Sequence, residues 1–295
     1  MAAVVHGGNV WQGETPGRWL DFSANLRPEG SAPWAMDTAC RALSQMRFYP
    51  DPQMRAARQG LAEYLGVPPQ CVLPTAGGLE ALRLAMELLA EAGTRAMTVF
   101  APAFGEYMRL AARAGICAQE ARAYAHCGAL PVEKVLPSPS AASAAVVCNP
   151  NNPTGCAYGR EALLSLFDGV RAAGGALLVD EAFIDFCPER TVADAAAGMQ
   201  GLYVAGSLTK SLGVPGIRLG YLVGGAEWIA RAQEAAGPWP LNCAALAIAE
   251  ALPCHAAQLR EEAAQNALRR VQLAEGLRSL GARVYPSEAN FLLAD

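Results

Sequence analysis

The chain has 295 residues, of which 53% are hydrophobic and 17% are charged, and its formal net charge is −4. This composition predicts a well-buried globular core, in one large domain or in a large and a small one. The weak negative charge argues against nucleic acid or an acidic membrane surface as a partner, and no apolar run predicts a transmembrane helix or a secretory signal.

The nine cysteines are scattered along the sequence, and none of them forms a C-x-x-C pair. Paired or clustered cysteines are the usual signature of a zinc site, so no metal site is predicted. Most of these cysteines stand beside apolar residues and are interpreted as small buried hydrophobes. This usage is typical of a reducing compartment, and a cytoplasmic location is expected.

The N-terminal third begins with an irregular segment. Residues 1–34 are predicted to form an arm that contains the Gly7-Gly8 pair and an alternating run from Asp21 that stops at Pro28. A helix is expected over residues 35–47. The sequence Phe-Tyr-Pro-Asp-Pro at residues 48–52 then predicts a turn, and a second helix is expected as far as Leu65.

From Cys71 onward, short apolar runs alternate with helical patterns, which predicts an α/β fold with a doubly wound, mostly parallel sheet. The predicted strands cover residues 71–75, 96–100, 118–124, 144–148, 176–179, 201–205 and 219–223. Residues 226–236 and 243–280 are expected to be mainly helical, with Pro253 as a break. Ligands of such sheets bind at the carboxyl ends of the strands, and the polar motifs of this sequence follow the predicted strands.

Three of these motifs carry polar groups that suit a ligand. Gly77 and Gly78 stand between a strand and a helix, where free N–H groups attract an anion, although a simple tight turn is the alternative. Asn152, in Asn-Pro-Thr-Gly, can donate to an anionic oxygen at a ring edge. Asp180 ends an apolar strand, and a buried carboxylate there requires a cation or several donors; a helix cap is the alternative.

Lys210 is one of very few lysines and is surrounded by Leu208, Leu212 and Val214. Burial lowers the pKa of a lysine, and the neutral amine is the form that makes a Schiff base with an aldehyde. Arg218 follows eight residues later and suits a phosphate. The alternative is a surface lysine at a strand end.

Together, an amine, a carboxylate, an amide donor, a phosphate cradle and aromatic residues match pyridoxal 5′-phosphate. Asn-Asn-Pro-Thr-Gly at 151–155, Asp-Glu-Ala-Phe at 180–183 and Ser-Leu-Thr-Lys…Arg-Leu-Gly-Tyr at 207–221 occur in that order. In these motifs and their spacing the chain resembles the fold-type I aminotransferase superfamily (class I/II). The resemblance implies an N-terminal arm over 1–34 that covers the active site, a large cofactor-binding domain over 35–242, and a small α+β domain over 243–295 that is expected to be incomplete.

The same resemblance implies roles for single residues. Lys210 binds the cofactor aldehyde and moves protons at the substrate Cα, Asp180 pairs with the ring nitrogen, and Asn152 donates to the ring O3′. The expected cofactor neighbours are Gly77, Gly78, Leu79, Phe104, Ser207 and Arg218, with Phe104 stacked on the ring. Tyr49 is similar to the tyrosine that the family places in the neighbouring subunit's phosphate site, which implies a homodimer. Ala76 and Leu79 replace the family's usual polar residues, so cofactor affinity is expected to be lowered.

The reaction is predicted from the arm and from Phe183. His6-Gly-Gly-Asn-Val-Trp and Asp-Phe-Ser-Ala-Asn25 resemble the opening of the threonine-phosphate decarboxylase branch, which makes His6 and Asn25 candidate substrate-binding residues. Phe183 stands where the family's aminotransferases usually have a tyrosine. The predicted reaction is decarboxylation of O-phospho-L-threonine to 1-amino-2-propanol O-phosphate, in cobalamin biosynthesis.

Two alternatives to this reaction remain open. One is a histidinol-phosphate-type aminotransferase. The other is a catalytically impaired cofactor-binding homologue, because the family's substrate arginines follow the segment that resembles Glu288–Leu293 and this chain stops at Asp295. The arginines at 269, 270, 278 and 283 are expected to face solvent and are not taken as substitutes.

Overall fold

A computed structural model describes residues 7–11, 21–123 and 143–295. Its strands are β1 (Val72–Thr75), β2 (Ala96–Ala101), β3 (Cys117–Arg122), β4 (Ser143–Cys148), β5 (Ala176–Glu181), β6 (Leu202–Ser207) and β7 (Gly220–Val223). They form one sheet in the order β1-β7-β6-β5-β4-β2-β3. Neighbouring strands are parallel except at β7, which is antiparallel to β1 and β6. The predicted α/β class and mostly parallel sheet are therefore confirmed.

The described α-helices are α1 (Pro33–Ala42), α2 (Arg55–Leu65), α3 (Gly78–Glu91), α4 (Glu106–Arg113), α5 (Arg160–Ala172), α6 (Ala193–Gly198), α7 (Ala226–Ala236) and α8 (Cys243–Ser279). They supply the apolar faces that cover the sheet. The central strands β4, β5 and β6 are buried along almost their whole length, as expected for parallel strands covered on both faces. Among these helices none combines the length and apolar character needed to cross a membrane.

Helix α3 illustrates how the sequence pattern becomes packing. Its spacing predicts one apolar face, and Leu82, Met86 and Leu89 are buried there. Leu79 falls on the same face by its spacing, but it is 36% exposed and lies at the edge of a cavity. The first turn of α3 therefore belongs to the site, whereas the rest of the helix belongs to the core.

Two expectations about the C-terminal region are wrong. Pro253 lies inside α8, which continues unbroken for 37 residues. A proline inside a helix costs about 3 kcal/mol; residues buried on both sides of it, among them Leu252 and Leu259, fasten the helix to the core. Arg270 does not face solvent: it is half-buried and donates to the carbonyl oxygen of Ala289 at 2.8 Å.

The segment after α8 packs against the loop that follows β4. It makes one isolated bridge, Val284 with Ala294. The backbone N–H of Glu288 donates to the carbonyl of Gly155 at 2.8 Å. The C-terminal segment thus touches the loop that carries Asn152. The division into an arm, a large domain and a small domain stays a prediction.

Candidate functional site

A cavity of about 340 Å³ lies where β4, β5 and β6 end beside the N-terminus of α3. This is the position at which open α/β sheets bind their ligands. The predicted site residues that line it are Asn25, Gly78, Leu79, Phe104, Asn152, Asp180, Ser207, Lys210 and Arg218. Segments that are far apart in sequence are brought together here because parallel strands share their carboxyl edge.

Asp180 lies at the floor of the cavity, near the end of β5, and is 4% exposed. It accepts hydrogen bonds from the Tyr107 hydroxyl at 2.5 Å and from the backbone N–H of Ala182 at 3.0 Å. Burial raises the pKa of Asp180 to about 6, against the opposing effect of these two donors and of Lys210. A positively charged ligand group placed at this carboxylate would favour its ionised form.

Lys210 follows β6 in a tight turn and lines the same cavity. Burial and the nearby Arg218 lower the pKa of Lys210, and Asp180 opposes them. The lowered pKa makes a neutral amine more available near neutral pH, which is the reactive form toward an aldehyde. The Lys210 amine also lies 6.0 Å from the ring centre of Phe183.

The glycine loop between β1 and α3 packs tightly against Arg218. Gly77 has a φ of 86°, and a Cβ built there would overlap the Arg218 guanidinium. A Cβ on Gly220 in β7 would lie 2.6 Å from the Gly77 carbonyl carbon. Both positions therefore require glycine. The packing places the start of α3 and a permanent cation together, an arrangement that suits a phosphate group.

Ser207 completes this side of the cavity. Its hydroxyl lies 2.8 Å from the Thr209 hydroxyl, and both side chains are buried. A Cβ on Gly78 would lie 3.1 Å from the Ser207 Cβ, so the end of β6 closes onto the first turn of α3. One hydroxyl of this pair donates to the other, so one hydroxyl hydrogen and the first N–H groups of α3 are available to an anion.

Aromatic side chains form the other walls. Phe104 contacts Tyr107 edge-to-face, with ring centres 5.8 Å apart. Phe183, 4% exposed, makes a similar contact with Phe291 at 5.1 Å. Asn152 lines the cavity between these groups. A planar ring ligand would therefore meet apolar faces and an amide.

The described part of the arm covers one side of the cavity through Gly7, Ser23, Ala24 and Asn25. The carbonyl of Asn25 accepts a hydrogen bond from Asn290 at 3.2 Å. His6 lies outside the described residues. Tyr49 does not reach this cavity: it is 79% exposed and stacks on Trp239, with ring centres 4.4 Å apart.

Sequence reasoning missed two polar contacts of the site. The Tyr107 hydroxyl is a donor to Asp180, which the sequence pattern did not indicate. Thr209, next to Lys210, pairs with Ser207. The one available signal was position: Tyr107 follows Phe104 by three residues at the start of α4, so both point toward the same region.

These residues fit pyridoxal 5′-phosphate. The buried Asp180 carboxylate suits a protonated ring nitrogen, the Lys210 amine suits an aldehyde, and the start of α3 at Gly78 suits a phosphate beside Arg218. The polar groups of the site therefore match the cofactor at three positions: its ring nitrogen, its aldehyde and its phosphate.

Comparison with known proteins gives the same result. A family model for aminotransferase class I and II matches residues 18–295. The chain is 34% identical to the threonine-phosphate decarboxylase of Salmonella typhimurium, over 98% of this chain and 81% of the relative. It is also 34% identical to a histidinol-phosphate aminotransferase of Mycobacterium tuberculosis, over 99% of this chain and 77% of the relative.

The fold of this chain can be compared with that of a solved structure. Histidinol-phosphate aminotransferase from Sinorhizobium meliloti, in complex with pyridoxal 5′-phosphate, superposes with a TM-score of 0.79 at 19% identity, over 92% of this chain and 74% of that one. The fold is thus shared even where the sequences have diverged. With the family model matching nearly the whole sequence, this chain belongs to the aminotransferase class I and II family of pyridoxal-phosphate-dependent enzymes.

Proposed function

We propose that this cavity binds pyridoxal 5′-phosphate and that the protein decarboxylates O-phospho-L-threonine to 1-amino-2-propanol O-phosphate, a step of cobalamin biosynthesis. The bound cofactor would supply an electron sink for the bond broken at the substrate Cα. Lys210 would hold the cofactor aldehyde and then move a proton at that carbon. Asp180, held by Tyr107, would keep the ring nitrogen protonated.

Other residues would orient the cofactor. Arg218, Ser207 and the first N–H groups of α3 would bind its phosphate through Gly77, Gly78 and Leu79. Asn152 would donate to the ring O3′, and Phe104 would pack on the ring face. These groups come from five segments of the chain, so a fixed ring plane is the expected result. A substrate bond held perpendicular to that plane would be the one that breaks.

Phe183 is the observation that carries the choice of decarboxylation. It lines the cavity beside Lys210 and offers no hydroxyl at the position where the family's aminotransferases usually have a tyrosine. One donor to the ring O3′ is therefore missing. The arm adds support, because Asn25 lines the same cavity, where it would meet a phosphorylated substrate. The substrate-binding role of His6 stays a prediction.

A histidinol-phosphate-type aminotransferase is the second candidate. The specific observation in its favour is that a relative with this activity is as similar to the chain as the decarboxylase is, at 34% identity. Both candidates use a small phosphorylated amino compound, so the phosphate-recognition argument applies to either. The difference lies in whether a carboxylate or a proton is aligned perpendicular to the ring.

The test compares two assays on the same purified, cofactor-loaded protein. Release of CO₂ and aminopropanol phosphate from O-phospho-L-threonine would support the proposal. Transfer of the amino group from histidinol phosphate to 2-oxoglutarate, without CO₂ release, would select the aminotransferase. Cofactor binding with neither reaction would identify an impaired homologue and contradict both.

We also propose that the protein is a homodimer in which Tyr49 contributes to the partner's phosphate site. The supporting observation is an apolar surface around Tyr49: Met46, Phe48 and Trp239 are 75%, 58% and 44% exposed. Such a surface is unfavourable in water unless a partner covers it. Sedimentation velocity should give twice the chain mass, and a monomeric holoenzyme would contradict the proposal.

A further inference from the structure

A second polar cluster lies outside the lining of the candidate site's cavity. It consists of Tyr64 in α2, Asp185 in the short 3₁₀ turn after β5, and Ser211. The Tyr64 hydroxyl donates to one oxygen of Asp185 at 2.8 Å, and the Ser211 hydroxyl donates to the other. Both carboxylate oxygens are thus occupied by hydroxyls from separate elements.

Burying this polar cluster costs desolvation free energy, which an apolar contact at the same place would not cost. Asp185 is partly exposed to a cavity of about 140 Å³ between α2 and α8, yet its dense surroundings raise its pKa through desolvation. Within the described residues no arginine or lysine forms an ion pair with it. Arg260 lines the same cavity but forms no ion pair with Asp185. A carboxylate in such a place supplies directional hydrogen bonds more than net stability.

Ser211 is the residue directly after Lys210. On the other side of the lysine, Thr209 pairs with Ser207 at 2.8 Å. The side chains of both residues that flank Lys210 are therefore hydrogen-bonded, Thr209 to Ser207 and Ser211 to Asp185. Thr209 faces the cavity, whereas Ser211 does not line it.

Asp185 also belongs to the segment that carries the acidic group of the site. Asp180 and Asp185 are five residues apart at the end of β5 and in the turn that follows it. A hydrogen bond from Ser211 to Asp185 therefore ties the lysine turn directly to the segment of Asp180. Such a hydrogen bond controls the distance between the Lys210 amine and the Asp180 carboxylate, which is proposed to pair with the ring nitrogen.

We propose that Asp185 is a positioning residue that holds Lys210 in its desolvated place through Ser211. The inference rests on the proposed role of Lys210 as the residue that binds the cofactor. Ser211→Ala releases the turn, and the Lys210 amine gains access to water. The protonated amine is then better solvated, and its titration midpoint moves up toward that of an ordinary lysine.

The experiment measures the Lys210 midpoint from the pH dependence of its reaction with trinitrobenzenesulfonate in the full-length, cofactor-free protein. Lysine occurs at two positions, 134 and 210, so peptide mass spectrometry assigns each site and Lys134 serves as an internal reference. Ser211→Ala should raise the Lys210 midpoint by about half a pH unit or more. Ser211→Thr, which keeps the hydroxyl, should retain the wild-type midpoint.

Tyr64→Phe is the matched control, because it removes the other hydroxyl from Asp185 and leaves the Ser211 contact in place. It should lower the melting temperature as Ser211→Ala does, without moving the Lys210 midpoint. If Ser211→Ala lowers the melting temperature but leaves the midpoint unchanged, the cluster is merely structural and the inference is overturned. Because labelling needs no bound cofactor, a protein that takes up no pyridoxal phosphate refutes the proposed function separately.

Discussion

Tyr107 donates its phenolic hydrogen to Asp180 across 2.5 Å, and both side chains are almost fully buried. The two residues are 73 positions apart in sequence. This hydrogen bond is one of the interactions that stabilise the charged form of Asp180 against the effect of burial. The contact therefore decides in which pH range the carboxylate can pair with a protonated ring nitrogen.

Tyr107→Phe should weaken cofactor binding near neutral pH. Without the donor, the pKa of Asp180 rises above about 6, so a larger fraction of the carboxyl is neutral and cannot pair with the ring. A hydrogen bond to a charged group contributes about 1.5–3 kcal/mol, so a roughly tenfold or larger rise in Kd is expected. Absorbance titration with pyridoxal phosphate measures it.

The control for this substitution is Tyr203→Phe. Tyr203 is also a buried tyrosine, stacked on Trp228 at 3.9 Å, but it does not line the cavity. Its loss should leave the Kd unchanged. Equal Kd values for Tyr107→Phe and the wild type would show that the hydroxyl has no part in cofactor binding.

Gly77→Ala should remove phosphate binding. Gly77 has a positive φ, and the added methyl would overlap the Arg218 guanidinium. We expect the Kd for pyridoxal phosphate to rise at least tenfold, since Arg218 and the start of α3 can no longer converge on one anion. Gly93→Ala is the matched control: Gly93 has a φ of 98° but open space around it. If Gly93→Ala raises the Kd as much as Gly77→Ala does, backbone strain rather than loss of the phosphate site explains the weaker binding.

Most residues of the candidate site could be predicted from the sequence because they follow the ends of predicted strands. Asn152, Asp180 and Ser207 each stand where an apolar run stops, and parallel strands bring such positions to one edge. The direction of β7 was not predictable in this way, since an apolar run has the same pattern in either orientation. The Tyr107–Asp180 contact was equally hidden, because it depends on how α4 packs rather than on local periodicity.

Glu181 should make the cofactor-free protein less stable as the pH rises. Burial raises the pKa of Glu181 from 4.5 to about 7, although Thr191 and the Val192 N–H donate to it. Between these two pH values the folded protein retains a proton that the unfolded chain releases. The free energy of unfolding therefore falls through this range.

Glu181→Gln should reduce that fall by on the order of 2 kcal/mol, measured by urea unfolding between pH 5 and 7.5 (roughly the interval between the two pKa values). Asp180, whose pKa is about 6 in the folded chain, contributes in the same direction. Pyridoxal phosphate should remove the Asp180 part, because a cationic ring nitrogen favours the carboxylate. Glu161→Gln, on the exposed start of α5, is the control, and an unchanged slope for Glu181→Gln would refute the assignment.

Lys210→Ala should abolish the absorbance band at roughly 410–430 nm that marks the cofactor joined to a lysine. Its amine is the group placed in the cavity near Asp180. Lys210→Arg keeps the positive charge but cannot form the bond, so it should lack the band as well. A wild-type protein that shows no band after incubation with pyridoxal phosphate would contradict the cofactor assignment itself.

Phe183→Tyr should shift the balance of reactions. Phe183 lines the cavity 6.0 Å from the Lys210 amine, and a hydroxyl there would supply the donor that the family's aminotransferases usually have. A single hydrogen bond of about 1–1.5 kcal/mol corresponds to a change of about tenfold. We expect CO₂ release from O-phospho-L-threonine to fall by that factor relative to amino-group transfer. Phe291→Tyr is the control, because Phe291 packs against Phe183 without lining the cavity, and it should leave the ratio unchanged. An unaltered ratio in Phe183→Tyr would mean that Phe183 is a packing residue and that the choice of reaction depends on the arm.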